Sequence, residues 1–230
     1  MMRFYLRFGL SLLGILIAVT LLICQQPYDD RHQYQLRDLL SSAGCPAPCF
    51  MGIRPGFTTA KDAVTLLKNQ AWVADVTTIS TDKPYQTWWV WGNNAPEFLK
   101  TVLINRNFPV QGEVRSPNGI VSSIGFSPHL TLGDIVLAWG LPRRSQLIFG
   151  GIIVTPNPSV SAVITLEYEA DGFWASGDLK CPYTADIWNT SVRLMITNEF
   201  NDMSLGTVRA IDRSTFLNSI HRTSNLMCGL

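Results

Sequence analysis

The feature that most constrains this chain is a run of 17 residues without a charge, Phe8 to Cys24, reading FGLSLLGILIAVTLLIC. As a helix rising 1.5 Å per residue it spans about 26 Å, close to the hydrocarbon core of a thin bilayer. Arg3 and Arg7 precede the run, and Asp29, Asp30 and Arg31 follow it. Phe4, Tyr5 and Leu6 extend the span while Arg7 snorkels to the interface. Basic flanks stay in the cytoplasm. The run is therefore expected to be a single-pass signal-anchor in the cell membrane, with the N-terminus cytoplasmic and Leu230 outside. Residues 1–7 form the cytoplasmic stub, and 8–24 the transmembrane helix that takes the lipid bilayer as its partner. Two alternatives give the same sidedness. A cleaved signal peptide would carry a shorter apolar core and an A-x-A-like site, and no such site follows. A lipoprotein would be modified at Cys24, but Ile23 stands where a small residue is usual.

Composition decides what the remainder can be. With 230 residues, 47% hydrophobic and only 15% charged, the chain has enough apolar surface for one domain or two small ones. A disordered chain would be apolar-poor and charge-rich, and five Cys are too few for a disulfide-dense miniprotein. The formal charge is +1; without Arg3 and Arg7 the segment 25–230 holds 16 basic and 17 acidic residues, a balance of −1. So neutral a segment has no electrostatic preference for nucleic acid or for an anionic membrane surface.

Four cysteines lie beyond the apolar run: Cys45, Cys49, Cys181 and Cys228. An even number in an extracytoplasmic segment favours disulfides. The preferred pairing is Cys45–Cys49, which is local, with Cys181–Cys228 tying the C-terminus to the body; the alternative joins Cys45 or Cys49 to Cys181. A metal site is disfavoured because His32, His129 and His221 stand at no ligand spacing from a cysteine. A redox role is disfavoured because the spacing is C-x3-C and no helix start stabilises a thiolate.

Along the chain a pattern recurs at an offset of 72. Residues 25–50 hold a juxtamembrane helix, with Leu36, Leu39 and Leu40 on its apolar face and Gly44 at its stop, and then the cysteine loop. Thr59 and Asp62 resemble a capping box ahead of Ala60, Ala63, Val64 and Leu67, one helical stripe. Thr131 and Asp134 repeat it ahead of Leu132, Ile135, Val136 and Trp139, with Gly140 and Pro142 at the stop. Strand-like segments follow each helix: 73–80, 87–92, 100–107 and 119–126 after the first, then 145–155, 160–170, 173–178 and 190–200. With no helix between strands, these predict antiparallel meanders. The expected class is α+β: an N-terminal transmembrane helix followed by one or two helix-plus-antiparallel-meander modules, at 51–128 and 129–230.

The segments G-I-R-P-G-F-T-T-A-K-D-A-V-T-L-L (52–67) and L-T-L-G-D-I-V-L-A-W-G-L-P (130–142) resemble the helix segment of the SmpA/OmlA family of small envelope lipoproteins. The first shares Pro55, Gly56, Thr58 or Thr59, and Val64 with the family's pattern; the second shares Thr131, Val136, Gly140 and Pro142. The resemblance implies a helix-on-sheet module in the cell envelope that assists assembly of envelope proteins. It carries no functional residues across.

Catalytic signatures such as G-x-S-x-G, H-E-x-x-H, the P-loop and the dinucleotide fingerprint are absent from the sequence. No catalytic residue, cofactor or metal is therefore expected, and the protein reads as a binding protein and not an enzyme. His129 is expected to be a solvated turn residue. The acids of Glu167, Glu169, Asp171 and Asp178, with Gly172, stand at calcium-loop positions. VITLEYEA is strand-like, however, so a hairpin turning at Asp171-Gly172 is preferred, with Glu167 and Glu169 on its solvent face. Asn189-Thr190-Ser191 is a formal glycosylation sequon, but nothing else in the sequence implies a eukaryotic secretory pathway, so it is read as chance. The strand Trp88–Trp91 is the most distinctive surface candidate. Trp89 and Trp91 share one face and either pack in the core or form a possible binding platform for a glycan or cell wall; core packing is the expectation. The expected function is extracytoplasmic binding or envelope assembly without catalysis, with an envelope protein as partner. The alternative is a glycan or cell-wall binding module using Trp88–Trp91.

Overall fold

The computed structural model describes residues 12–20, 31–40, 44–79, 85–100, 111–149, 161–180, 185–199 and 207–212. Over these residues the chain forms helices α1 (Arg31–Leu40), α2 (Ala60–Lys68) and α3 (Leu132–Trp139), and strands β1 (Val73–Ile79), β2 (Tyr85–Trp91), β3 (Gly112–Ser116), β4 (Ser123–Phe126), β5 (Arg144–Phe149), β6 (Ser161–Tyr168), β7 (Phe173–Lys180), β8 (Val192–Thr197) and β9 (Thr207–Asp212). Single 3-10 turns lie at Glu97–Leu99 and Ala185–Asn189.

The same local chemistry starts α2 and α3. In each, a threonine in extended conformation accepts a hydrogen bond from the N–H three residues on, Asp62 for Thr59 and Asp134 for Thr131. At Thr131 the aspartate also accepts from the threonine N–H at 2.8 Å, which completes a capping box. Each cap is laced to the segment entering the last strand of its own half. Val121 N–H donates to Thr58 O at 2.8 Å and Ala60 N–H to Gly119 O at 2.8 Å. In the second half Val192 N–H donates to Leu130 O at 3.1 Å and Leu132 N–H to Thr190 O at 2.9 Å. The isolated bridges Thr59–Ile120 and Thr131–Ser191 belong to the same two lacings.

The strands form one antiparallel sheet in the order β1-β2-β3-β4-β8-β7-β6-β5-β9. Strands β1 to β4 are one meander and β5 to β8 another; they join through their last strands, where Ile124 pairs with Ile196 and Gly125 with Met195. Strand β9 adds to the outer edge of β5. The position 128, where two modules were expected to meet, lies between β4 and α3, and the sheet runs on across the two halves.

Two expectations are corrected. The fold is dominated by this nine-stranded sheet with few, short helices, instead of an α+β chain led by a transmembrane helix. Among the described residues no helix is long and apolar enough to cross a membrane. Within the run 8–24 the described residues 12–20 are helical, and the rest of the run lies outside the described residues. The strand expected at 100–107 falls almost wholly outside the described residues, and the strand between β2 and β4 is Gly112–Ser116.

One apolar core lies between the sheet and the helices. Ala63 and Leu67 of α2, Leu132 and Ile135 of α3, and Leu36, Leu39 and Leu40 of α1 meet inward residues of the strands, including Trp89, Ile124, Phe126, Phe173 and Leu194. Arg37 fastens α1 to the C-terminal end of α3: its Nη2 donates to Ala138 O and its guanidinium lies 5.6 Å from the Trp139 ring centre.

Candidate functional site on the outer sheet face

Alternation along the strands decides which side chains can meet a ligand. Trp89 and Trp91 point into the core, 1% and 6% exposed. Their rings stand edge-to-face at 5.6 Å, and Phe50 packs against both, at 5.9 and 6.4 Å. Phe126 lies 4.8 Å from Phe50 and 6.4 Å from Trp91. Opposite Trp89 in the register is Gly112, and a Cβ there would fall 2.0 Å from Trp89 Cζ2. The indole therefore lies flat over the glycine, where any side chain would displace it. Trp89 and Trp91 form no surface platform, and a ligand reaching this strand from outside meets Trp88 and Val90 instead.

The face turned away from α2 and α3 carries a row that crosses the sheet. Trp88 pairs with Glu113, Glu113 with Gly125, Gly125 with Met195, and Met195 with Trp174. Glu113 is at its centre. Its carboxylate accepts from Gln86 Nε2 at 2.9 Å and is paired with Arg115 at 2.9 Å and with Arg193 at 2.5 Å. Arg193 is on β8, beyond β4, and Gly125 makes the crossing possible. A Cβ at Gly125 would stand 3.4 Å from Glu113 Cγ and 3.3 Å from Met195 Sδ, so its absence leaves the lane through which Glu113 reaches Arg193. The Glu113 side chain is only 10% exposed, whereas those of Arg115 and Arg193 are 54% and 47% exposed. A buried anion thus draws two half-exposed cations together, with half-buried Trp88 and Trp174 at the ends of the row. None of the three charged residues was singled out from the sequence. The signal available was charge within short strands: Glu113 and Arg115 at alternate positions of G-E-V-R-S, and Arg193 as the single charge of V-R-L-M-I.

Further along the same face Glu167 is 4% exposed, contrary to the expectation that it faces solvent. Burial, and secondarily the nearby Glu169 charge, push its pKa up, opposed by Arg144 and by a hydrogen bond with Gln146. Its Oε1 and the hydroxyl of Thr165, two residues earlier on the same face, have no hydrogen-bond partner among the described residues. The preferred hairpin is present: β6 and β7 pair from Ser161–Lys180 to Tyr168–Phe173, and Gly172 turns with φ +70° against Pro48 of the cysteine loop. The side chain of Tyr168 lies on the core side, donating to Gly140 O at 2.8 Å, and burial, then Asp171, raise its pKa.

Cys45 and Cys49 form the expected local disulfide, with Cα atoms 5.9 Å apart. Cys181 and Cys228 lie outside the described residues, as do His32's side chain and all of His221. His129 is exposed in the turn before α3, its N–H donating to Phe98 O. A separate groove of about 480 Å³ opens between α1 and the start of β1, with Leu39, Met51, Trp72 and Pro96 in its wall. Among models of protein families, curated proteins and solved structures, none matches this chain.

Proposed function

We propose that this protein is an extracytoplasmic binding protein that engages an envelope protein or another envelope component on the outer sheet face, and that it works without catalysis. The observation that carries the reading is the Arg115–Glu113–Arg193 cluster between Trp88 and Trp174. A charged cluster fixed by a buried partner and flanked by half-buried aromatics has the make-up of a binding-surface centre, where Trp and Arg are enriched. The Cys45–Cys49 disulfide supports an oxidising compartment. The likeness of 52–67 and 130–142 to the SmpA/OmlA pattern supports a role in envelope assembly. The test is photo-crosslinking in cells, with a benzophenone amino acid placed at position 88 on the outer face or at position 137. Leu137 is 64% exposed on α3 and serves as the opposite-face control. Adducts from position 88 and none from 137 are expected; adducts from 137 alone would refute the assignment of the face.

A glycan reading retains one specific support. Trp88 is half-buried and turned outward, so its ring is the part of the Trp88–Trp91 strand able to stack on a sugar. Co-sedimentation with purified peptidoglycan that is lost in Trp88→Ala would favour it; co-sedimentation unaffected by that substitution would exclude a stacking role for the ring.

A further inference from the structure

We infer that Arg115 and Arg193 form a seat for an oxyanion, a carboxylate or phosphate group that bridges the two guanidinium groups on the outer sheet face. The inference rests on the reading of that face as the binding surface and names the chemistry it takes.

The geometry comes from one shared atom. Both Nη2 atoms contact Glu113 Oε1, at 2.9 and 2.5 Å, which puts them within 5.4 Å of each other. Two guanidinium groups so close repel unless an anion lies between them. Glu113 supplies one negative charge from below, leaving the trio with a net charge of +1. Its second oxygen is occupied by Gln86, so the carboxylate is held in place and cannot swing out to satisfy the arginines further.

Each guanidinium has five N–H donors in a planar fork, and Glu113 uses one edge only. The remaining donors of Arg115 and Arg193 meet no acceptor among the described residues, and both side chains are about half exposed. Hydroxyl groups stand beside each: Ser123 is the cross-strand partner of Arg115, and Ser176 that of Arg193. A group with two or three anionic oxygens can take one N–H edge from each arginine while Glu113 keeps the fork assembled. Carboxylate and phosphate both satisfy this geometry, since both accept bidentate guanidinium bonds. A cation or a neutral sugar does not. Diffuse surface charge is a different situation: it has no fixed spacing and is screened by salt within a Debye length.

The test is isothermal titration of the full chain with pyrophosphate and, separately, with succinate, at constant ionic strength set by chloride. Saturable binding of at least one probe in the millimolar range or tighter is expected. Its affinity should fall about tenfold or more in Arg115→Gln and in Arg193→Gln, as expected for loss of one charged, paired contact. Arg193→Lys keeps the charge but not the fork and should fall between wild type and Arg193→Gln. The two probes separate a phosphate seat from a carboxylate seat. Absence of saturable binding by either probe, or equal affinities in wild type and both glutamine variants, would overturn the inference. Should a glutamine variant not fold, judged by its circular dichroism melt, the lysine variants of both positions decide: affinities equal to wild type overturn the fork. Adducts at position 88 without oxyanion binding would refute the seat alone, whereas adducts from position 137 only would refute the face.

Discussion

Replacing Gly112 by alanine tests whether Trp89 is a core residue or a surface platform. The new Cβ would stand 2.0, 2.3 and 2.5 Å from Trp89 Cζ2, Cε2 and Cη2. Carbon atoms prefer about 3.5–4.0 Å, so more than 1 Å must be found by moving the ring or the strand. The ring has no room, because it is 1% exposed and closed in by Phe50 and Trp91. The strand has little more, because β3 is paired on both sides, with β2 and β4. Overpacking of this kind costs about 1–3 kcal/mol, and here the upper end applies. The lower backbone entropy of alanine returns roughly 0.5–1 kcal/mol. A net loss of about 2 kcal/mol corresponds to a fall in Tm of about 4–8 °C for a chain of this size. Urea denaturation followed by circular dichroism measures it. Trp89→Leu alone should lose about 3 kcal/mol through the cavity it opens. The double variant should lose at least about 1 kcal/mol less than the two single losses together, because the new methyl group enters space the indole has left. A Gly112→Ala variant within about 0.5 kcal/mol of wild type would refute the packing, since only an indole turned away from the glycine permits it.

Three further outcomes follow from the same contacts. Thr131→Ala and Thr59→Ala should each cost about 1 kcal/mol, because each removes the hydroxyl that accepts from the aspartate N–H and donates to its carboxylate; chemical denaturation of each checks this. Glu167→Gln should change the pH dependence of stability. Burial raises the Glu167 pKa in the fold above the ordinary 4.5, so its contribution is complete below that value and is lost as the pH rises through the folded value. The variant should therefore melt higher than wild type near pH 8, with the gap closing toward about pH 4; a gap independent of pH would contradict the assignment. Gly172→Ala meets both an unfavourable φ of +70° and Pro48 Cβ at 2.3 Å. It should destabilise the chain by about 1–3 kcal/mol in the same denaturation assay, and an unchanged midpoint would show that the cysteine loop does not rest on the hairpin.

Much of the local structure was legible because it follows from neighbours in the chain. Thr59 with Asp62 and Thr131 with Asp134 announce helix starts through their own side-chain chemistry. The β-branched runs of β1, β6 and β8 announce strands, and Cys45 and Cys49 were close enough to pair by proximity. Strand β3 was missed because Gly112, Glu113 and Arg115 break the apolar pattern, and these residues matter for what they touch across the sheet. The β4–β8 seam joins segments about 70 residues apart, and no local signal encodes such a pairing. The site was illegible for the same reason. Glu113 and Arg193 are separated by 80 positions and meet across Gly125, which has no side chain to crowd the carboxylate. The apolar run 8–24 is the strongest local signal of all, and it led to a transmembrane helix, whereas among the described residues no helix is long and apolar enough to cross a membrane.

The claim on which the functional account turns is that binding is done by the charged outer face. The direct measurement is the yield of the position-88 photo-adduct in cells, compared between the wild-type background and Arg193→Glu. Charge reversal at Arg193 sets two carboxylates against each other at the centre of the site while leaving the helical face and the core untouched. The account predicts that the adduct falls about tenfold or more at equal protein level. An undiminished adduct in Arg193→Glu would contradict it.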